Sequence, residues 1–258
     1  MSAFDFTGRR ILVTGASHGI GRAVAEAFAT AGAELAILSG TADIEGAGAE
    51  IAAAAGRPVR AEVCDITDRA AVRRVVGGLG RLDVLVNNAG LELTTPMLDP
   101  EDEVEATFRR IIDINVVGTY YVTREALRLM TSGASIVVTS SVWGKSAAAD
   151  FAAYVTSKHA NVGFMRVLAK ELGPRGIRVN AVCPGWVRTR AALRSLTRVS
   201  EKAGISEEAM LAEILSAQAL PGLMEPDDVA SLYLFLASDL ARNITGQAVN
   251  VDRGEVMA

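Results

Sequence analysis

Arg10–Gly21 reads RILVTGASHGIG, and the fold follows from it. Arg10 to Thr14 is a short apolar run that ends at a glycine, the pattern of a strand buried on both faces. Ile20 to Ala31 then carries apolar residues at helical spacing and stops at Gly32. Between them, the glycines of Thr14-Gly15-Ala16-Ser17-His18-Gly19-Ile20-Gly21 permit a tight turn and a close backbone approach, and the start of the following helix attracts a pyrophosphate. The spacing is G-x-x-x-G-x-G rather than G-x-G-x-x-G. Such a turn can be purely structural; its place between a strand and a helix favours a nucleotide.

The same rhythm continues along the chain. Strands are expected at Glu34 to Leu38, Val59 to Val63, Val84 to Val86, Ile136 to Thr139, Ile177 to Val182 and Ala248 to Val251. Helices are expected from Asp43 to a stop at Gly56, after the Thr67-Asp68 cap, over about 100–130 with an interruption near Asn115, and from Ala152 to Leu172. Strand–helix alternation without a linker or repeat predicts an α/β fold: one doubly wound, Rossmann-type parallel sheet of about seven strands, helices on both faces, in a single domain over residues 1–258.

Composition narrows the function classes. Half of the 258 residues are apolar, enough for a sizeable core, and a net charge of −4 with interspersed signs leaves no footprint for nucleic acid. No apolar run is long enough to span a bilayer, and MSAFDFTGRR lacks a signal-peptide pattern, so the chain reads as cytoplasmic. Cys64 and Cys183 lack metal or redox spacing and read as buried thiols; with only His18 and His159 as histidines, no metal site is expected.

A second stretch, SVWGKSAAADFAAYVTSK from Ser141 to Lys158, carries chemistry. Tyr154 and Lys158 are four apart and share a helix face. Ser141 follows a strand end, where open parallel sheets gather ligands. A phenol ionises near pH ~10, and a cation about 4 Å away at an effective dielectric of about 20 is worth about 4 kcal/mol, or about three pK units. Lys158 can thereby bring Tyr154 toward neutrality, where general acid–base catalysis works best, and Ser141 can donate to a substrate oxygen. Alone, a Tyr-x-x-x-Lys pair reads as a solvated helix face; the glycine turn upstream changes that reading.

Together these motifs make the chain resemble the short-chain dehydrogenase/reductase family, in its single-domain branch, from Arg9 to Gly254. Thr14, Gly15, Gly19 and Gly21 match the T-G-x-x-x-G-x-G loop. Asp65 in CDITD matches the acid that holds the adenine amino group, and Asn87-Asn88-Ala89-Gly90 the N-N-A-G turn. Asn115, Ser141, Tyr154 and Lys158 match the catalytic tetrad, and Pro184-Gly185 with Thr189 the loop beside the nicotinamide. The resemblance implies that Tyr154 exchanges a proton with the substrate oxygen, Lys158 binds the ribose and lowers the Tyr154 pKa, Ser141 orients the oxygen, and Asn115 holds a water that links Lys158 to solvent. It further assigns to the cofactor Ser17, His18, Ile20, Ser39, Ile66, Asn88, Ala89, Gly90, Gly185 and Val187, a lid over about 186–226, and a homotetramer or homodimer that pairs the helices from Asn115 to Met130 and from Ala152 to Leu172.

The choice between NAD and NADP turns on the end of the second strand, where a carboxylate would bind the ribose 2′-OH. Leu38-Ser39-Gly40-Thr41 offers neither an acid nor an arginine, neutral His18 is a poor phosphate ligand, and the reading leans to NAD without excluding NADP. Arg190, Arg194 and Arg198 line one helix face, either as a cationic grip on an anionic substrate or as a solvated face paired with Glu201, Glu207 and Glu208; the second is the expectation. Val142, Trp143 and Trp186 either wall a pocket or pack in the core. Where relatives carry V-D-G-G, this chain has Val251-Asp252-Arg253-Gly254. The expected activity is oxidation of a secondary alcohol, such as a sugar or polyol, or reduction of the matching ketone. A 3-oxoacyl-carrier-protein reductase is the rival enzyme, and a non-catalytic nucleotide-sensing module the rival of another class.

Overall fold

In the computed structural model, which describes residues 4–257, the apolar runs become strands β1 Arg10–Thr14, β2 Glu34–Ser39, β3 Val59–Val63, β4 Val84–Asn87, β5 Ser135–Thr139, β6 Arg178–Pro184 and β7 Ala248–Val251. Helices α1 Gly19–Thr30, α2 Asp43–Ala55, α3 Arg69–Gly77, α4 Asp102–Ile112, α5 Thr119–Ala126, α6 Ala152–Leu172, α7 Arg190–Ala203, α8 Glu207–Ser216 and α9 Pro226–Ala237 alternate with them. All strand pairs are parallel, in the order β3-β2-β1-β4-β5-β6-β7. The chain winds outward from β1 to one edge, then from β4 to the other. The crevice between the carboxyl ends of β1 and β4 is where such sheets bind ligands.

Alternation along each strand builds two cores. Ile11, Val13, Val84, Val86 and Val137 pack against α1, α2 and α9, while Leu12, Leu85, Ile136 and Val138 pack against α3, α5 and α6. Burial on both faces is the reason the strands read as unbroken apolar runs rather than alternating ones. Phe28 of α1 is fully buried edge-on to Phe6, with ring centroids 4.9 Å apart, and burying such a side chain contributes about 1.5–3 kcal/mol. Local signals set the ends: Asp68 caps α3 by accepting from the Ala70 and Ala71 N–H groups at 2.8 and 3.1 Å, and Gly56 ends α2 in the left-handed conformation at φ +63°.

Some boundaries differ from expectation. The helix expected over 100–130 is α4, a π-helical stretch Asp113–Gly118, and α5; Asn115 lies in a widened turn rather than a break. Gly118 allows it, since a Cβ there would sit 2.6 Å from Ile66 Cγ1. The sixth strand runs on to Pro184, carrying its carboxyl end to the crevice. Among the described residues no helix is long and apolar enough to cross a membrane. The reading of the amino-terminus rests in part on residues 1–3, outside the described residues.

Candidate active site

The nucleotide end is assembled by hydrogen bonds between the loops after β1 and β4. Thr14 Oγ1 accepts from the Asn88 and Ala89 N–H groups, each at 2.9 Å, and Asn88 Nδ2 donates to the Thr14 and Gly15 carbonyls, each at 3.1 Å. Gly15 and Gly19 take φ of +65° and +60°, the left-handed region that favours glycine. At the start of α1, His18 supplies no side-chain cap and the first turn carries no acid, so the N–H groups and the positive end of the helix dipole face the crevice. A Cβ on Gly19 would meet Thr189 Cγ2 at 3.3 Å, so this turn and the loop after β6 confront each other. Ser17 and Ser39 join through their hydroxyls at 3.3 Å. Asp65 Oδ1 accepts from Thr67 N–H and Oγ1 at 2.9 and 2.8 Å, and its other oxygen makes no such bond. Ile66 is buried beside the π-helical stretch, Val187 is buried against the sheet, and Gly185 N–H donates to Val251 O at 2.9 Å. This donor set fits a dinucleotide: uncapped amides and the turn glycines for a pyrophosphate, and an exposed carboxylate for an amino group.

The four tetrad residues converge behind this cradle. Ser141 ends the loop after β5 and accepts from Trp143 N–H at 3.1 Å, and its hydroxyl favours ionisation of the Tyr154 phenol. Lys158, one turn on in α6, donates to Thr139 O at 2.9 Å and stands 5.3 Å from the Tyr154 ring centroid. Asn115 is fully buried; its amide accepts from Leu91 N–H at 2.7 Å and donates to Leu91 O and Ser157 Oγ at 2.9 Å each. Asn115 and Lys158 meet across Gly90, where a Cβ would come within 3.3 Å of Asn115 Oδ1 and 3.7 Å of Lys158 Nζ. Trp143 packs on Phe151 and edge-on to Tyr154, with centroids 4.8 and 6.0 Å apart, and Val142 is buried.

Burial dominates the electrostatics. It holds the Tyr154 phenol above its ordinary pKa, the Glu92 carboxylate pushes the same way, and the Ser141 hydroxyl opposes both. Burial also lowers Lys158 to about 8. Without a ligand, therefore, the site does not hold the near-neutral phenol that charge pairing alone suggests. Partial burial, and then the Arg190 charge, lower the His18 pKa, which keeps the imidazole neutral. Arg22 is occupied by Glu26 at 2.8 Å and Glu50 at 2.6 Å.

Arg190, Arg194 and Arg198 are exposed, as a solvated face requires, but among the described residues none of them forms an ion pair with Glu201, Glu207 or Glu208. Arg194 donates to Glu92 O at 2.8 Å and Arg198 to Thr94 Oγ1 at 3.5 Å, while Glu207 accepts from Thr197 at 2.5 Å. Position in the fold decides this, because Arg194 and Arg198 reach the loop after β4 rather than the acids of their own and the next helix. That loop holds what sequence reasoning missed. Glu92, two residues past the N-N-A-G turn, accepts from Ser195 Oγ at 2.5 Å, and its burial raises its pKa. The available signal was an acid inside the apolar run Leu91-Glu92-Leu93 at a strand's carboxyl edge. Arg253 takes φ +53°, and its guanidinium donates to Pro221 O at 2.8 Å. Cys64 and Cys183 are free and buried, and among the described residues no group of three or more His, Cys, Asp or Glu is arranged to hold a metal.

Comparison with known proteins agrees with this geometry. The family model described as enoyl-(acyl carrier protein) reductase matches residues 15–255. Oxidoreductase UcpA of Salmonella typhimurium is 40% identical over 257 residues, covering 97% of this chain and 95% of the relative. D-beta-hydroxybutyrate dehydrogenase of Cupriavidus necator is 36% identical over 261 residues, covering 96% and 98%. A solved structure from Beutenbergia cavernae, described as an NAD(P)-dependent gluconate 5-dehydrogenase with NADP bound at low occupancy, superimposes with a TM-score of 0.88 at 33% identity, covering all of both chains. With its sheet order, glycine turn and Ser-Tyr-Lys constellation, the chain belongs to the short-chain dehydrogenase/reductase family, oxidoreductases that move hydride between a nicotinamide dinucleotide and a hydroxyl or ketone carbon.

Proposed function

We propose that Tyr154 is the proton-exchanging group of this oxidoreductase and that Ser141, Lys158 and Asn115 act with it. The observation that carries the reading is the Lys158 ammonium, held on Thr139 O at 2.9 Å at the end of β5 and 5.3 Å from the Tyr154 ring centroid, beside the uncapped start of α1. When bound, the nicotinamide accepts or delivers the hydride. In the oxidising direction the substrate hydroxyl gives its proton to Tyr154; in the reducing direction Tyr154 protonates the carbonyl oxygen. Ser141 fixes that oxygen, which gains charge as the bond order changes. Lys158, with an ammonium that burial already makes easier to deprotonate, binds the ribose hydroxyls and favours the phenolate. Asn115 orients the Leu91 backbone and the Ser157 hydroxyl and holds the water that connects Lys158 to solvent.

Thr14, Gly15, Ser17, His18, Gly19, Ile20 and Gly21 cradle the pyrophosphate side, Ser39, Asp65 and Ile66 the adenosine, Asn88, Ala89 and Gly90 the floor, and Pro184, Gly185, Val187 and Thr189 the nicotinamide. The lean to NAD loses support here: no carboxylate at the end of β2 rejects a 2′-phosphate, and the Beutenbergia neighbour carries NADP. We infer that the chain takes both dinucleotides. The α7–α8 region over 186–226 is the substrate lid of a single-domain, cytoplasmic enzyme that assembles as a homotetramer or homodimer. Its substrate is a secondary alcohol or ketone of the sugar, polyol or hydroxy-acid type. A carrier-linked 3-oxoacyl substrate is the second reading; the description of the matching family model shares the acyl carrier with it, though not the ketone.

Paired titrations of NADH and NADPH by thermal shift, with a panel of polyols, hydroxy acids, free ketones and a carrier-linked ketone, test this. Tyr154→Phe should keep nucleotide binding and lose turnover by at least about a hundredfold. A Tyr154→Phe enzyme as active as wild type would falsify the assignment, and failure to bind either dinucleotide would bring the non-catalytic reading forward.

A further inference from the structure

Glu92 has no part in the proton-exchange scheme, yet it lies two residues past Gly90, where a Cβ would come within 3.7 Å of Lys158 Nζ, and its charge bears on both Tyr154 and Lys158. Its place is set from two sides. The preceding residue, Leu91, is gripped at both N–H and C=O by the Asn115 amide at 2.7 and 2.9 Å. From the other side, α7 holds it: Ser195 Oγ donates to Glu92 Oε1 at 2.5 Å and Arg194 Nη2 to Glu92 O at 2.8 Å. Further along that face Arg198 reaches Thr94, and Lys202 pairs with Asp150 just before α6 begins. Residues 194, 195, 198 and 202 thus seat one face of the lid helix on the loops that carry the catalytic groups. An unattached carboxylate would turn out to water, since burying an ionised group is costly. Here it is fastened in place.

We propose that Glu92 is a positioning residue of the reaction: a carboxylate that α7 holds beside Tyr154 and Lys158 and that sets the pH range over which Tyr154 exchanges its proton. The proposal rests on the reading of Tyr154 given above. A negative charge beside a phenol disfavours the phenolate, and beside an ammonium favours the charged form. The other groups acting on the pair are few. Ser141 favours the phenolate, while the Tyr233 phenol and the Cys183 thiol, whose pKa values burial raises, stay neutral and add no charge. On Glu92 itself act Arg194, Arg198 and Lys158, all of which favour its ionised form, against burial. While Lys158 keeps its proton, removing the Glu92 charge therefore has one sign: Tyr154 becomes easier to ionise.

Glu92→Gln keeps the shape and an acceptor for Ser195 and removes the charge. Two readouts follow it. Tyr154 ionisation is measured as phenolate absorbance, each enzyme minus its Tyr154→Phe counterpart, with NAD saturating. The second is the pH profile of kcat/KM for a secondary alcohol from the panel. In Glu92→Gln both midpoints should fall by about one unit, the lower end of what a charge within the same site does. Below the wild-type acid limb, oxidation should then run up to about tenfold faster, with nucleotide affinity unchanged. Ser195→Ala, which frees the carboxylate toward solvent, should shift both midpoints in the same direction by less. Titrations and profiles of Glu92→Gln that superimpose on wild type would overturn the proposal and leave Glu92 a structural latch. If Tyr154→Phe itself turned over normally, the proton-exchange reading would fail first; an inert Tyr154→Phe with an unshifted Glu92→Gln would sink only the role of Glu92.

Discussion

Gly21→Ala tests whether the glycine turn is demanded by the ligand or by the protein itself. A Cβ on Gly21 would lie 2.3 Å from Asn88 Nδ2 and 2.3 Å from Gly15 O, with Gly15 C at 2.9 Å. Two of these three neighbours are backbone, so the methyl group cannot be accommodated by rotating a flexible side-chain end. Asn88 must leave its bonds to Thr14 O and Gly15 O, both 3.1 Å. Two hydrogen bonds at about 1 kcal/mol each, with overpacking of about 1–3 kcal/mol, oppose a gain of about 1 kcal/mol from replacing glycine by alanine in a helix. The net loss is about 2–4 kcal/mol. At about 2–4 °C per kcal/mol for a chain of this size, the melting temperature without nucleotide should fall by about 5–15 °C. Differential scanning calorimetry of the ligand-free protein measures this. If the glycine served only the close approach of a pyrophosphate, Gly21→Ala would melt at or slightly above wild type and lose only nucleotide affinity. That outcome would refute the packing argument.

Lys158→Met should abolish turnover yet stabilise the protein near neutral pH. With the Lys158 pKa depressed from 10.5 in the unfolded chain to about 8 in the fold, the unfolded state binds more protons between those values. Wild-type stability therefore rises with pH from about 8 to 10.5 and is lowest below that window. Relief of this penalty, less the Thr139 carbonyl left without its donor, nets about 1 kcal/mol, and the advantage should vanish by the top of the window in melting curves taken across pH. An advantage that persisted undiminished at high pH would contradict the linkage. Arg253→Gly removes a left-handed strain of about 1 kcal/mol but also the guanidinium bonds to Pro221 O and Leu223 O, so a net loss of about 1 kcal/mol is expected. Limited proteolysis should then cut faster within 217–224, and unchanged melting with unchanged cleavage would show that Arg253 ties nothing down.

Much of this molecule is written in local pattern. Strands buried on both faces must be apolar throughout, so Arg10–Thr14, Val84–Asn87 and Ser135–Thr139 announce themselves, and Asp68 and Gly56 mark helix ends by chemistry that needs no distant partner. Because the glycine turn, the N-N-A-G turn, Ser141 and the Pro184-Gly185 loop sit at the carboxyl ends of strands, their order along the chain already indicated which loops share the crevice. Even Asn115 was legible as a disturbance in a long helix, although its π-helical form, with Ile66 from another strand's end packed on Gly118, was not.

What the tertiary structure decided are the properties that depend on distance through space and on burial. Glu92 and Ser195 lie 103 positions apart and meet at 2.5 Å, and Arg194 and Arg198 found the loop after β4 rather than their neighbouring acids. The amide of Asn115 serves Leu91 and Ser157, 24 and 42 positions away. Above all, the phenol of Tyr154 and the ammonium of Lys158 share a helix face, as a spacing of four requires, but the pKa of each follows from how much water the fold leaves around it. Spacing along a chain encodes which groups are neighbours on a helix; only the packed structure sets their solvation, and here solvation outweighs the pairing.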